Sequence, residues 1–107
     1  MTLERHPAVV TDDLPDIYRS IASDNPPAAE RVLDAVELTF AQLTRQPESG
    51  VTYRSRNRTL SDLRMLPVIG FANYLVFYRI EAEAVRILYV VHGARHLPRF
   101  FRQESRG

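Results

Sequence analysis

Apolar side chains recur with the period of a helix near the start of the chain. Residues 14–21 place Leu, Ile, Tyr and Ile at i, i+3, i+4 and i+7, which is the spacing of one buried helical face. Asp13 stands where a side chain can cap this helix, and Pro15 is tolerated in the first turn. Because the residue before a proline disfavours helical geometry, Pro26 predicts that the helix ends near Ser23.

A second, longer helix is predicted to follow at once. Asn25 is a favourable capping residue and Pro26 suits the first helical position, while Pro47 and Gly50 end the helical pattern. Two amphipathic helices joined by so short a turn are expected to lie antiparallel, as a helical hairpin. The residues predicted to form the buried face of the second helix are Ala29, Val32, Leu33, Val36, Phe40 and Leu43.

Four apolar runs around this hairpin predict strands. HPAVV at residues 6–10 is expected to be an edge strand, because it contains a proline. The other three runs are LRMLPV at 63–68, YLVFYRI at 74–80 and VRILYVVH at 85–92. The last two do not alternate between apolar and polar residues, so we expect them to be covered on both faces. The predicted order is β-α-α-β-β-β, followed by a tail.

The composition is that of one globular domain spanning residues 1–107. Hydrophobic residues make up 45% and charged residues 25% of the chain, which argues against disorder. The sequence has no apolar run long enough for a membrane span and no signal-peptide pattern at its N-terminus, so we expect a cytoplasmic protein. It has no cysteine, which excludes disulfides and thiolate metal sites.

The small net charge of +1 conceals two halves of opposite sign. Residues 1–50 hold four Arg and nine acidic residues, and residues 51–107 hold ten Arg and four acidic residues. All fourteen basic residues are Arg, whose planar guanidinium suits carboxylates and phosphates. A strongly basic half predicts an anionic partner.

Several stretches stand together in an order and spacing that resemble a known family. They are DLPDIYRSIASDNPPAAERVL, the P-x-x-G after the second helix, LRMLPVIGFANYLVFYRI and VRILYVVHGARHLPRFF. Over residues 12–101 the chain resembles the RelE/ParE superfamily of toxins from bacterial type II toxin–antitoxin systems, with the closest likeness to the ParE (plasmid stabilisation) branch. The resemblance implies an α+β fold in which the helical hairpin packs on a small antiparallel sheet.

The resemblance implies three alternatives for function. A ParE-like toxin inhibits growth by binding DNA gyrase and is not a nuclease. A RelE-like toxin is an endoribonuclease that cuts mRNA, mostly in the ribosome. A silent member keeps antitoxin binding and has lost toxicity. In each case the implied partner is a cognate antitoxin in a heteromeric complex, and no cofactor is implied.

Nuclease chemistry requires a general base, a general acid and cations at the scissile phosphate. In the RelE-type pattern, Arg64 matches the strand arginine and Arg95 matches the arginine after the last strand. The tyrosine of that pattern falls at Phe100 or Phe101, which cannot transfer a proton. The chain also has no lysine, and arginine is a poor general base because it stays protonated. These departures favour the ParE-like alternative.

His92 and His96 are the possible substitutes for the missing proton-transfer group, since histidine titrates near neutral pH. The more common role for a histidine at the position of His92 is that of a strand-end residue bonded to backbone. The two are also four residues apart, a metal-ligand spacing on a helix. Gly93 and Pro98 oppose such a helix, so no metal is expected.

The remaining candidates are arginines for anion or target binding and aromatic residues for partner docking. The loop arginines are more typical of a solvated loop than of a phosphate clamp. Those within strands are expected on the sheet face that the helices leave open, and those of the tail on one face of a short helix. The arginine set is Arg54, Arg56, Arg58, Arg64, Arg79, Arg95, Arg99 and Arg102. The aromatic anchors are Phe100 and Phe101, whose alternative is to fold back on the sheet.

Overall fold

Two α-helices and five strands build the part of the fold that the structure describes. The computed structural model describes residues 1–53, 62–94 and 106. Its elements, in chain order, are β1 (Thr2–Arg5), a π-helical segment (Val9–Asp13), α1 (Leu14–Ala22), α2 (Pro26–Arg45), a 3-10 turn (Pro47–Ser49), β2 (Val51–Thr52), β3 (Arg64–Val68), β4 (Phe71–Glu81) and β5 (Ala84–His92).

The helical hairpin forms where its sequence signals predict. The Asn25 side chain accepts a hydrogen bond from the Ala28 N–H at 3.1 Å, so it caps α2. The predicted apolar stripe of α2 is buried, apart from the half-buried Leu33, and Thr39 is buried within it. The Thr39 hydroxyl donates to the Ala35 carbonyl and accepts from the Ile69 N–H, which ties α2 to the β3–β4 turn. In the described part of the chain, no helix is both long and apolar enough to cross a membrane.

The sheet has the order β1-β5-β4-β3-β2. Strands β2 to β5 pair antiparallel with their neighbours, but β1 pairs parallel with β5. The α+β fold with a helical hairpin on a sheet is confirmed, while the sheet is mixed rather than wholly antiparallel. The sheet is mixed because β5, the last strand in sequence, lies between β4 and β1 and runs parallel to β1.

The predicted edge strand at residues 6–10 is wrong. The first strand is Thr2–Arg5, at one edge of the sheet, and the backbone is already helical from Pro7. Pro7 suits a helix start because its missing N–H would have no helical partner there. Val9 is fully buried against the core, whereas the neighbouring Val10 is exposed.

Strands β4 and β5 are buried on both faces, as their continuous apolar sequences predict. Val76 and Tyr78 belong to a core beneath the helices, while Phe77 between them belongs to a second cluster on the opposite face. A bulge places Leu88 as an extra residue, because Phe77 pairs with Tyr89 and Tyr78 pairs with Ile87. Leu88 and Tyr89 therefore both belong to the second cluster. The bulge explains why the β5 sequence lacks a clean alternation.

Candidate functional site

Three of the predicted binding or catalytic residues lie in the described part of the chain. Arg64, Arg79 and His92 are in or at the ends of strands, and the structure gives their surroundings. The others lie outside the described residues: Arg54, Arg56, Arg58, Arg95, His96, Arg99, Phe100, Phe101 and Arg102.

Arg64 lies on the helix-covered face of the sheet, so its expected position on the open face is wrong. Register places it opposite Tyr78, which belongs to the core beneath the helices. The Arg64 guanidinium donates to the Gly50 carbonyl at 3.0 Å. A cation that binds the turn after α2 in this way supports the fold, because it satisfies a backbone carbonyl at the end of that turn.

A small open pocket borders Arg64. It has a volume of about 220 Å³ and is lined by Thr52, Asp62, Arg64 and Ile80. Asp62 has a φ of 60°, in the left-handed region that Asp tolerates better than most residues. Of the described residues that line the pocket, one supplies a carboxylate and one a guanidinium, and the carboxylate repels an isolated phosphate.

Arg79 is placed as the sequence predicts, on the face opposite the helices. Its neighbours Tyr78 and Ile80 both contact the helix-side core, and side chains alternate between faces along a strand. Arg79 pairs with Arg86 across β4 and β5, and Arg86 in turn pairs with Glu4 of β1. A row of two cations and one anion therefore crosses this face.

His92 ends β5, which confirms its predicted strand-end position. Its ring packs edge-on against Tyr74, with the ring centroids 5.1 Å apart. Its Nδ1 is buried and has no hydrogen-bond partner within the part of the chain that the structure describes, so the predicted backbone bond is not made by this atom. Within the same residues, no group of three His, Asp or Glu side chains is placed to hold a metal ion.

Among the described residues, the most extensive set of polar contacts joins Asp13 to Arg106. The sequence pattern did not predict that these two residues meet. Arg106 binds the Asp13 carboxylate with both terminal nitrogens, at 2.5 Å to Oδ2 and 2.9 Å to Oδ1. It also donates to the Leu88 carbonyl at 3.1 Å, and its guanidinium lies 4.6 Å from the centroid of the Tyr89 ring. The Arg106 N–H donates to the Tyr89 hydroxyl at 2.5 Å. We call Asp13, Leu88 and Tyr89 the arginine pocket.

The predicted role of Asp13 as a helix cap is wrong. Helix α1 does begin at Leu14, but the Asp13 side chain makes no capping bond because the preceding residues already continue the helix. Its Oδ2 instead accepts from the Val90 N–H at 3.0 Å. No local pattern could have joined Asp13 to Arg106, because 93 positions separate them.

The arginine pocket completes the edge of β5 where β1 stops. Pairing of β1 with β5 ends at Arg5 and Ile87, and the His6 N–H then binds the Ile87 carbonyl. Beyond that point, the Leu88 carbonyl is bound by Arg106 and the Val90 N–H by Asp13. Backbone groups of a strand edge that are not exposed to water need such partners.

One of three comparisons with known proteins identifies a family. The family model of the ParE toxin of type II toxin-antitoxin systems, parDE, matches residues 6–97. No curated protein is significantly similar to the chain in sequence. The solved structure described as the chromosomal ParDE TA system from P. aeruginosa contains a similar chain, with a TM-score of 0.68 and 17% identity. The match covers 86% of this chain and 95% of that chain, and at this identity it establishes similarity of fold alone.

Proposed function

Because the chain belongs to the ParE toxin family of type II toxin–antitoxin systems, we propose that it inhibits growth by binding DNA gyrase and is neutralised by a cognate antitoxin. The observation that carries this proposal is the family match over residues 6–97, which spans the hairpin and every strand after it. The gyrase target is taken from the ParE branch that the sequence resembles, and the antitoxin from the two-component organisation of the system.

The arrangement of the described candidates supports a binding role over RNA cleavage. Arg64 lies opposite Tyr78 and His92 lies opposite Tyr74, on the two sides of β4. Tyr74 and Tyr78 are four residues apart in β4, and β3 and β5 are two strand spacings apart. The Cα atoms of Arg64 and His92 are therefore roughly 16 Å apart. Arg64 is also held by the Gly50 carbonyl. A nuclease needs its cation and its proton-transfer group at one phosphate, and these two side chains do not share such a position.

We further propose that the basic, aromatic sequence after β5 contacts the target. Its guanidinium groups suit an anionic or acidic surface, and aromatic side chains supply the apolar anchors of protein interfaces. In this proposal the loop arginines and Arg79 supply further contacts with the same target. The residues concerned are Arg54, Arg56, Arg58, Arg79, Arg95, Arg99, Phe100, Phe101 and Arg102.

Induction of the chain in a bacterial host tests the proposal. We expect growth arrest with filamentous cells and DNA-damage signalling, and we expect co-expression of the cognate antitoxin to restore growth. Rapid loss of translation with cleaved messages would instead identify a ribosome-dependent endoribonuclease. No growth effect at a verified protein level would identify a silent member.

A double substitution distinguishes a gyrase-binding toxin from a ribosome-dependent endoribonuclease. Arg64→Ala combined with Arg95→Ala removes both arginines that the RelE-type pattern requires. A nuclease would lose its toxicity, whereas a gyrase-binding toxin that docks through several arginines should keep a measurable part of it. His92→Gln is the companion variant, since it removes proton transfer and preserves side-chain volume. Loss of toxicity in that variant, with the fold intact, would contradict the binding role.

A further inference from the structure

The arginine pocket has the chemistry of a recognition site for a guanidinium group. Asp13 supplies a carboxylate that meets both terminal nitrogens, the Leu88 carbonyl accepts a third N–H bond, and the Tyr89 ring faces the cation. Parallel bonds to a carboxylate and stacking on an aromatic face are available to arginine together, whereas lysine offers only a point charge. The geometry therefore selects arginine over other cations.

The pocket is held in shape by groups other than its occupant. The Val90 N–H fixes the Asp13 carboxylate, whose side chain is 9% exposed with Arg106 in place. The Leu88 carbonyl belongs to the bulge residue of β5. Tyr89 is 7% exposed as a residue, and its ring packs edge-on against Phe77, with centroids 6.5 Å apart. None of these contacts requires Arg106.

The pocket would be unfavourable without any guanidinium. We therefore expect one arginine to be replaced by another rather than to leave the pocket empty. Without a guanidinium, the nearly buried carboxylate of Asp13 would lose its counter-charge, and such unpaired groups are costly. Arg106 belongs to none of the described helices and strands, so its departure disturbs none of these elements. A second arginine that enters as Arg106 leaves would keep the carboxylate paired.

We propose that Asp13, Leu88 and Tyr89 form an arginine-binding site that Arg106 occupies in cis and that an arginine side chain of another polypeptide takes in trans. Arg106 then acts as an internal competitor. If it fills the site for about nine-tenths of the time, the apparent dissociation constant of a trans ligand rises about tenfold. This proposal does not depend on the identity of the toxin's target.

The test uses the full chain with Arg106→Ala, titrated with N-acetyl-arginine amide and followed by NMR. We expect saturable shifts of the Val90 amide and of the Tyr89 ring signals, confined to the neighbourhood of the pocket. In the unsubstituted chain the same titration should require about tenfold more ligand, because Arg106 competes. Adding Asp13→Asn to Arg106→Ala should abolish the shifts, with the dispersion of the remaining amide signals as the check on folding.

A further control changes the ligand instead of the protein, so it can be carried out even if the variant with Asp13→Asn does not fold. N-acetyl-citrulline amide has nearly the shape of the arginine derivative without its charge, and N-acetyl-lysine amide has the charge without the planar fork. Both should bind at least about tenfold more weakly, since each lacks one element of the charge-assisted paired bonds. Equal shifts with all three ligands, or equal affinity with and without Arg106, would overturn the proposal.

Discussion

Removing one hydroxyl from the centre of the protein should destabilise it measurably without changing its shape. Tyr78 is fully buried in β4, and its hydroxyl joins the turn after α2 to the sheet. It donates to the Pro47 carbonyl at 2.7 Å and accepts from the Gly50 N–H at 2.9 Å. The substitution Tyr78→Phe keeps the ring and removes both bonds. Burial raises the pKa of this hydroxyl, so it stays protonated and able to donate at neutral pH.

The size of the effect follows from the two backbone groups left behind. A buried donor or acceptor that loses its only partner costs about 1–3 kcal/mol, and a net hydrogen bond contributes about 1 kcal/mol. With one N–H and one carbonyl affected, we expect the free energy of unfolding to fall by about 2–4 kcal/mol. That is a large part of the 5–15 kcal/mol that is typical of small domains.

Urea unfolding followed by circular dichroism measures this loss. With a slope of roughly 2 kcal/mol per molar urea, the midpoint should fall by about 1–2 M. Tyr18→Phe is the matched control, because Tyr18 is half-buried and its hydroxyl makes no hydrogen bond to the described residues. It should shift the midpoint by less than a third as much. Equal and small shifts in both variants would refute the role assigned to the Tyr78 hydroxyl.

Three further predictions concern other contacts of the fold. Asn25→Ala removes the cap of α2 and should lower the free energy of unfolding by about 1 kcal/mol in the same urea assay; an unchanged midpoint would contradict the cap. Gly50→Ala brings a methyl group into overlap with the Tyr78 hydroxyl oxygen and should lower the free energy of unfolding by about 1–3 kcal/mol, visible as a lower Tm; an unchanged Tm would contradict the close approach of this turn to Tyr78. The pKa of His6 is lowered by burial and then by the charge of Arg106, so an NMR titration of Arg106→Ala should show it closer to 6.5. Because the pKa of His6 is lower in the folded than in the unfolded chain, the contribution of His6 to stability is full above its unfolded pKa and is lost as pH falls through its folded pKa. A His6 pKa unaffected by Arg106→Ala would contradict the electrostatic effect assigned to Arg106.

Local signals in the sequence predicted the helical hairpin correctly. The Asn25 cap, the proline after it and the apolar stripe of α2 all act within a few residues, so a short window contains everything that determines them. The dense apolar runs of β4 and β5 likewise predicted strands buried on both faces, because burial on both faces removes the need for polar positions.

Most errors of the sequence interpretation lie where distant segments meet. Strand β1 is short and polar, and it forms only because β5, some 80 positions later, offers a parallel edge. Asp13 resembles a helix cap, but Val90 and Arg106 bind its carboxylate instead. Arg64 faces the helices because the β3–β4 register fixes its side of the sheet, and register is set by pairing rather than by a strand's own residues.

The proposed function leads to a direct measurement on purified components. Relaxed plasmid is incubated with DNA gyrase and ATP, with and without the chain, and the supercoiled product is measured. We predict that the chain inhibits supercoiling, that the cognate antitoxin restores it, and that Arg64→Ala with Arg95→Ala retains part of the inhibition. Unimpaired supercoiling at a saturating concentration of folded chain, together with cleavage of mRNA on ribosomes by the same preparation, would contradict the gyrase-binding role.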